Sequence, residues 1–380
     1  MRIAIVTSSY PLAEIDGAAA AGLFVRDFAH ELAKNNHEIH IITQDKGEGC
    51  SYSPKGVTVH CFKWPGKGRP LSSLNPWNPF DAFAGFRFLK SGTRELLSLH
   101  ERSPVDHVLA MWAVPGGIIS GALRKEHNVP YSVWCLGSDI WTYGKLPMLR
   151  AVVSNVLQGS TNRYADGLML KHDAEEISNR PIEFLPSSRA VFRDGLAPLG
   201  TDRQSPRFQF VGRYDRVKGV DVLLQAFRRY IDKGGSGTLH MIGGGAMDQE
   251  VRELHKGLNL TERVEISGYA DGDEVRARVR SADCLLIPSR NESIPLVFSD
   301  ALQLGTPVIA SDVGDMGDLL RQTPAGIVVQ PEDVDGLAQA LRAFEQTGPE
   351  LYAAEVNSLA GTFDITQTAK RFLSDIGAAS

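Results

Sequence analysis

The sequence predicts an α/β protein of two Rossmann-like domains, each a parallel sheet flanked by helices. The first observation is a repeated alternation of short apolar runs with amphipathic helical segments, which is typical of buried parallel strands and their crossover helices. The second is the length of 380 residues, which suits two domains. The third is a short polar segment with two prolines and a glycine, residues 197–207, after which the alternation begins again.

Residues 1–197 form the predicted first domain. Its apolar runs are too short for helices, and segments with helical periodicity follow them. The predicted strands are residues 3–6, 37–43, 105–111, 131–136 and 166–170, and the predicted helices are residues 22–34, 115–125 and a segment from about residue 173. This order favours an open parallel sheet.

Three residues of the first domain stand where such a sheet binds ligands. Gly22 begins the first predicted helix, where backbone N–H groups favour an anion and a missing side chain permits close approach. Gly137 and Asp139 follow the strand at 131–136, and substrate-binding groups gather at such strand ends. The alternatives are an ordinary loop glycine at Gly22 and an N-cap at Asp139.

The segment 72–94 interleaves aromatic and basic side chains. Its members are Trp77, Phe80, Phe83, Phe86 and Phe88 with Arg87, Lys90 and Arg94. Such a segment can rest on a membrane surface or line a site for a lipid-linked acceptor. The alternative is that its aromatic side chains belong to the core.

Residues 207–362 form the predicted second domain. The predicted strands are residues 207–211, 238–242, 264–267, 285–287, 307–310 and 326–329, with helices at 220–230, 334–344, 349–360 and, beyond the domain, 365–376. The loop after its first strand starts at Gly212 and holds Arg213 and Lys218, two cations at a helix entrance. This geometry suits a diphosphate, although the loop lacks the GxxxxGK[ST] pattern. A solvated charge cluster is the alternative.

Glycines follow the next two strands of the second domain. Gly243 and Gly244 end one strand, but Asp248 stands at the sixth position of GxGxxG, so the dinucleotide fingerprint fails. We interpret these glycines as a close approach of backbone to a nucleotide or sugar. Gly268 and Tyr269 end the following strand.

Two carboxylates frame a helix between the strands at 285–287 and 307–310. Ser293 is the expected N-cap, and Pro295 suits the first turn. Glu292 and Asp300 are separated by about 12 Å along a helix axis, which exceeds the roughly 5–9.5 Å of a hydrolytic pair. The spacing favours two carboxylates that bind different parts of one extended ligand. A favourable charge near the helix N-terminus is the simpler explanation of Glu292.

Composition excludes several classes of function. A net charge of −5 and a pI near 6.1 argue against a nucleic-acid-binding protein. No run approaches 18 apolar residues and residues 1–6 are a strand rather than a signal peptide, so we expect a cytoplasmic protein. The four cysteines lack CxxC spacing, so neither a zinc site nor a disulfide framework is expected.

The stretch from Glu292 to Asp300 resembles the Glu-x7-Glu region of retaining, nucleotide-sugar-dependent glycosyltransferases of family 4 (group 1). The loop with Arg213 and Lys218 resembles the Gly-Arg…Lys-Gly loop of that family. The resemblance implies the GT-B fold, in which two Rossmann-like domains face each other across a cleft and a C-terminal helix, here 363–380, joins the first domain.

The resemblance also implies roles for individual residues. Glu292 would contact the donor sugar and Asp300 the ribose, although Asp is one methylene shorter than the usual Glu. Arg213 and Lys218 would hold the diphosphate. The donor site implied by motif and resemblance together comprises Gly22, Gly212, Gly243, Gly244, Gly268, Tyr269, Ser293, Ile294, Pro295, Leu296 and Asp300.

Two positions depart from the family pattern. Leu136 replaces the histidine of a common His-Gly-x-Asp motif, and it cannot hydrogen-bond or carry a proton through its side chain. Residues 186–188 read Pro-Ser-Ser where Pro-Asn-Gly is frequent.

These observations predict an enzyme that moves a sugar from a nucleoside diphosphate to a hydroxyl acceptor, a glycan or a lipid-linked molecule of envelope or extracellular polysaccharide synthesis. The family needs no metal, and we expect neither a metal nor another cofactor. Two alternatives stay open: a sugar-nucleotide epimerase of the same fold, and a non-catalytic sugar-nucleotide binding module.

Overall fold

The computed structural model describes residues 1–11, 22–46, 56–66, 69, 71, 74–75, 78–191 and 205–378. The chain divides into two compact units. Unit 1 comprises Met1–Ala190 and Ile365–Ser380, and unit 2 comprises Val191–Asp364. The predicted linker lies outside the described residues up to residue 204, and so does Trp77.

Unit 1 is built on a parallel sheet of seven strands in the order β3-β2-β1-β4-β5-β6-β7. The strands are β1 (Arg2–Val6), β2 (Glu38–Gln44), β3 (Val57–Phe62), β4 (His107–Met111), β5 (Tyr131–Cys135), β6 (Asn162–Ala165) and β7 (Glu183–Phe184). The helices are α1 (Leu23–Lys34), α2 (Pro79–Arg102), α3 (Ile118–His127), α4 (Ser138–Trp141), α5 (Pro147–Gly159) and α6 (Leu168–Ser178). In register, Ile3 of β1 pairs with Ile39 of β2 and His107 of β4.

The direction of each connection decides which face of the unit 1 sheet its helix covers. The connections through α2, α3, α5 and α6 all move from the β3 edge towards the β7 edge, whereas α1 moves the opposite way. Because such crossovers are right-handed, the first four helices share one face and α1 covers the other. Phe88 of α2 packs in the first of these two cores, and Phe28 of α1 packs in the second.

Unit 2 repeats the architecture with six parallel strands in the order β10-β9-β8-β11-β12-β13. The strands are β8 (Arg207–Val211), β9 (Thr238–Ile242), β10 (Val264–Ser267), β11 (Cys284–Ile287), β12 (Val308–Ser311) and β13 (Gly326–Val329). The helices are α7 (Val220–Asp232), α8 (Asp248–Gly257), α9 (Gly272–Ser281), α10 (Leu296–Leu304), α11 (Met316–Gln322), α12 (Val334–Thr347) and α13 (Ala353–Thr362). The prediction of two parallel α/β sheets is therefore confirmed.

The last helix, α14 (Ile365–Asp375), belongs to unit 1. Phe372 of α14 packs edge-on against Phe28 of α1, with ring centroids 5.7 Å apart. The hydroxyl of Tyr164 on β6 donates a hydrogen bond to Asp375 at 2.8 Å. These contacts bind the C-terminal helix to the sheet face that α1 covers.

Two predictions about local structure are wrong. Residues 166–170 are not a strand, because β6 ends at Ala165 and α6 begins at Leu168. A short apolar run fits a strand and a buried helical turn equally well, and here Leu170 starts the buried stripe of a helix. Cys61 is disulfide-bonded, which the cysteine spacing did not indicate. No helix within the described residues is long and apolar enough to span a bilayer.

Candidate active site

The predicted donor residues of unit 2 lie in the loops that follow β8, β9, β10 and β11 and in the first turns of α10. Because all six strands are parallel, these loops share the carboxyl edge of the sheet, where open α/β sheets bind their ligands. Hydrogen bonds join neighbouring loops: the N–H of Gly243 donates to Gly268 O at 3.2 Å, and the N–H of Gly212 donates to Ile242 O at 3.1 Å. The Tyr269 hydroxyl donates to Gly244 O at 2.8 Å.

The glycines of this edge fall into two kinds. Gly243 has φ of 151°, and a Cβ there would lie 1.9 Å from Gly212 O, so the fold itself requires glycine. Gly268 differs, because an added Cβ would meet no atom within 4 Å. The packing of unit 2 therefore gives no reason for glycine at position 268, whereas close approach of a ligand would give one.

The loop between β8 and α7 holds Lys218 in a fixed turn. The Asp215 carboxylate accepts a hydrogen bond from the Lys218 N–H at 3.1 Å and caps a single 3-10 turn, Arg216–Lys218. Gly219 follows with φ of 64°, and a Cβ there would lie 2.0 Å from Pro288 O. Only glycine lets the α7 N-terminus approach the end of β11 so closely.

Lys218 and Glu292 meet at this point. The Lys218 ammonium donates to the Glu292 carboxylate, and both side chains are mostly buried. Arg213 lies 3.4 Å from Asp215 and is 72% exposed, so its guanidinium is open to solvent. The structure thus brings the three predicted catalytic residues to one sheet edge, where Lys218 pairs with Glu292 and the exposed Arg213 pairs with Asp215.

Arg290 is a residue that sequence reasoning missed. It binds Asp221 of α7 through two hydrogen bonds of 2.8 and 2.9 Å, and its N–H donates to Val217 O at 2.7 Å. Hydrogen bonds to Asp221 and then Glu332 raise the pKa of Arg290 well above its usual value. Arg290 therefore ties the Lys218 turn to the loop that carries Glu292. Its partner Asp221 lies 69 positions away in sequence, so no local motif indicated that the two residues pair.

Gly314 is a second position whose role was not predicted from the sequence. It has φ of 56°, and a Cβ there would lie 2.0 Å from Glu292 O and 2.4 Å from Ser293 O. The loop after β12 therefore packs directly under the backbone of Glu292. A side chain at position 314 would clash with the Glu292 backbone and so displace the Glu292 carboxylate.

The start of α10 corrects one prediction. The N-cap position belongs to Pro295 rather than to Ser293, because Pro295 is extended and the helix begins at Leu296. No side chain caps this turn, and the Ser293 hydroxyl is buried without a hydrogen-bond partner in the described part of the chain. Ser293, Ile294, Pro295 and Leu296 thus surround an uncapped helix N-terminus, which favours an anion or a ligand hydroxyl.

Asp300 lies in the second turn of α10 and is buried. Ser299, Ala301 and Leu302 of the same helix are buried as well. A contact between Asp300 and a ribose stays a prediction.

The three candidate residues of unit 1 lie at the carboxyl edge of its own sheet. Gly22 is the N-cap of α1, and a Cβ there would lie 3.0 Å from Ser9 O. Gly137 has φ of 111° and begins α4. Asp139 is fully buried, and its carboxylate accepts hydrogen bonds from the N–H groups of Ala113 at 2.7 Å and Leu136 at 3.3 Å.

The environment of Asp139 indicates a structural use of the side chain. Burial raises its pKa to about 6, and the backbone hydrogen bonds oppose this rise. Its two oxygens link the ends of β4 and β5, so Asp139 holds the loop after β5 in shape. A direct contact with an acceptor stays a prediction.

Two further features bear on ligands of unit 2. Among the residues that the structure describes, no group of three or more His, Cys, Asp or Glu side chains could hold a metal ion. A cavity of about 400 Å³, lined by Arg207, His240 and Arg278 among others, lies at the amino edge of the sheet, away from the loops that follow β8 to β11.

Comparison with known proteins places both units in one family. Residues 205–346 match the sequence family described as glycosyl transferases group 1, and residues 20–177 match the glycosyl transferase 4-like domain. An uncharacterized glycosyltransferase of Methanocaldococcus jannaschii is 24% identical over 359 residues, covering 89% of this chain and 87% of its own. The 2-deoxystreptamine glucosyltransferase of Streptomyces kanamyceticus is 26% identical over 294 residues, covering 70% and 74%.

The fold agrees with these matches. The Anabaena protein HepE, solved in complex with UDP, superimposes with a TM-score of 0.71 over the full length of both chains at 14% identity. Two Rossmann-like units and two family matches that together span most of the sequence lead to one conclusion. The chain belongs to the group 1 (family 4) glycosyltransferases of the GT-B fold.

Proposed function

We propose that this glycosyltransferase moves a sugar from a nucleoside diphosphate to a hydroxyl acceptor with retention of anomeric configuration. The observation that carries the proposal is the pairing of Lys218 with Glu292 beside glycine loops and an uncapped helix N-terminus. This edge offers cations and N–H groups to a diphosphate and a carboxylate to sugar hydroxyls. The HepE complex with UDP supports a nucleoside diphosphate as the ligand class.

Each cation has a separate task in this proposal. Lys218 leaves Glu292 when the diphosphate binds, so that its ammonium contacts a phosphate oxygen and the carboxylate turns to a sugar hydroxyl. The Arg213 side chain is exposed, and it moves from solvent to contact the diphosphate when the sugar donor binds. Both cations stabilise the negative charge that grows on the leaving diphosphate, a form of electrostatic catalysis. They supply the charge that a metal ion would otherwise provide.

The reaction needs no protein nucleophile. The bond between the anomeric carbon and the diphosphate oxygen breaks while the acceptor oxygen bonds to that carbon from the same face. The departing diphosphate oxygen takes the acceptor proton. Asp300 would bind the ribose, and the backbone at Gly268 and Tyr269 would bind the base.

The acceptor and the location follow from the same proposal. We place the enzyme in the cytoplasm, in the synthesis of an envelope or extracellular polysaccharide or glycolipid, with a hexose as the transferred sugar. A lipid-linked acceptor would require peripheral contact with a membrane, whereas a free glycan would not.

A thermal-shift screen of UDP-, GDP-, ADP- and TDP-sugars tests the donor class. Binding at a hundredfold excess over Kd should raise the apparent stability by about 2.7 kcal/mol. NMR of the product should then show the donor's anomeric configuration preserved. Conversion of the donor without an acceptor would favour an epimerase. Binding of a donor without turnover by any acceptor would favour a binding module.

A further inference from the structure

The exposed large apolar side chains of unit 1 lie along one edge of its sheet. Apart from Met1, the exposed large apolar residues that the structure describes in unit 1 all lie in the N-terminal turns of helices or just before them. They are Phe80, Phe83 and Phe86 on α2, Leu146 and Met148 at the start of α5, and Met169 on α6. Phe80 is 84% exposed and Met148 is 86% exposed, so packing within the unit does not explain either side chain.

The topology brings these helix starts to one edge. Each of the three helices follows a strand and leads back to the next, so each begins at the carboxyl edge of the sheet. All three lie on the same sheet face, as shown above. The six side chains therefore form one rim, which we call the apolar rim.

The length of α2 lifts the rim beyond the sheet. Its 24 residues span about 36 Å, whereas neighbouring strands of five or six residues span only about 17–20 Å. The first buried side chain of α2 is Ala84. The turn that carries Phe80 and Phe83 therefore precedes the packed part of the helix and projects towards solvent.

Cations continue the same stripe of α2. Phe80, Phe83, Arg87, Lys90 and Arg94 follow at alternating spacings of three and four, which places them on one helix face. All three cations are exposed, and within the described residues none has a carboxylate partner. Lys145 and Arg150 are exposed on either side of Met148. The acidic groups nearest along α2 are engaged: Asp81 pairs with Arg69, and Glu95 contacts Arg102.

We propose that the apolar rim docks on an anionic lipid bilayer, with its phenylalanines and Met148 in the headgroup layer and the cations against lipid phosphates. Apolar side chains next to basic ones match the interface between acyl chains and anionic headgroups. A soluble protein partner would have to present groups that complement the apolar and then cationic side chains of α2 in the same order. The loop of Gly137 and Asp139 shares this edge, so docking would bring the acceptor side to the lipid surface.

Vesicle sedimentation tests the proposal without any sugar donor, so its outcome is independent of the proposed transfer reaction. The full chain should sediment with vesicles of phosphatidylcholine and phosphatidylglycerol, and less with phosphatidylcholine alone. Phe80→Ser with Phe83→Ser should lower partition roughly tenfold or more per phenylalanine. Replacing Arg87, Lys90 and Arg94 with Gln should lower binding to the anionic vesicles about fivefold per cation.

A matched control comes from unit 2, where Leu351 is 61% exposed. Leu351→Ser should bind vesicles like the parent, and all variants should keep the parental melting temperature because the replaced side chains are exposed. Parent protein that ignores both kinds of vesicle, or a Phe80/Phe83 variant that binds as well as the parent, overturns the proposal. The proposal is also overturned if the parent does not bind vesicles but dimerises, and the Phe80/Phe83 variant is monomeric. The rim would then bind a second copy of the chain.

Discussion

The carboxyl edges of the two units share one architecture but present opposite chemistry. In unit 2 the edge is polar: Lys218 pairs with Glu292, Arg290 ties their loops together, and glycines line the strand ends. In unit 1 the carboxylate of Asp139 is sealed inside its loop, and phenylalanines and Met148 stand exposed. The sheet fixes where a ligand can bind, whereas the loop residues decide its chemistry, which we propose to be a charged nucleotide in unit 2 and a lipid surface in unit 1.

We expect the strongest loss of activity when Lys218 at the polar edge of unit 2 is replaced. Lys218→Ala removes the cation that we propose stabilises the leaving diphosphate, so turnover should fall by about 10²–10³, as for loss of a comparable oxyanion donor. Lys256→Ala, which removes an exposed lysine near the end of α8, is the matched control and should keep parental turnover. Equal rates for the two variants would remove Lys218 from the mechanism.

Because the Asp139 carboxylate of unit 1 is buried, we expect the unfolding free energy of the protein to depend on pH. Because burial raises the pKa of Asp139 from 3.8 to about 6, the native state keeps this proton over a range in which the unfolded chain has lost it. The unfolding free energy of the parent should therefore fall, relative to Asp139→Asn, by on the order of 2–3 kcal/mol between pH 4 and 6.5.

Denaturant titrations of both proteins across this range measure the difference. His107, whose pKa burial lowers to about 4, contributes the opposite slope, but it is present in both proteins and cancels. A difference that stays constant with pH would show that the pKa of Asp139 is the same in the native and the unfolded state.

Variants of Arg290 test whether the polar edge depends on the hydrogen bonds that join the Lys218 turn to the loop of Glu292. Arg290→Ala removes charged hydrogen bonds to Asp221 and should destabilise unit 2 by roughly 1.5–3 kcal/mol. Arg290→Lys keeps the charge but loses the planar fork, so it should recover only part of the stability and of the turnover. Full recovery by lysine would mean that charge alone holds the loops.

A pair of glycine variants separates fold from ligand at the same edge. Gly243→Ala should cost about 1–3 kcal/mol, because alanine at φ of 151° is strained and clashes with Gly212 O. Gly268→Ala should leave the melting temperature unchanged, since its Cβ meets open space, yet weaken nucleotide binding. If Gly268→Ala binds nucleotide like the parent, the backbone at position 268 does not approach the ligand.

Sequence reasoning predicted all six strands of unit 2 but only β1, β2, β4 and β5 of unit 1, because buried parallel strands are short apolar runs whereas β3, β6 and β7 lack so clear a pattern. It also placed Arg213, Lys218 and Glu292 at one edge, since parallel strands end together. It missed Arg290 and Asp221, whose pairing depends on how two loops meet in space. It could not separate Phe88, which is buried, from Phe80 and Phe83, because the depth of a residue depends on how far α2 extends beyond the sheet.

In our proposal Lys218 binds the diphosphate while Glu292 binds the sugar. Calorimetry with the nucleoside diphosphate that gives the largest thermal shift tests it directly, on the parent, Lys218→Ala, Glu292→Gln and Asp300→Asn. We predict at least about tenfold weaker binding for Lys218→Ala, weaker binding for Asp300→Asn, and near-parental binding with lost turnover for Glu292→Gln. Parental affinity in Lys218→Ala, or lost nucleotide binding in Glu292→Gln with none lost in Asp300→Asn, would contradict the assignment.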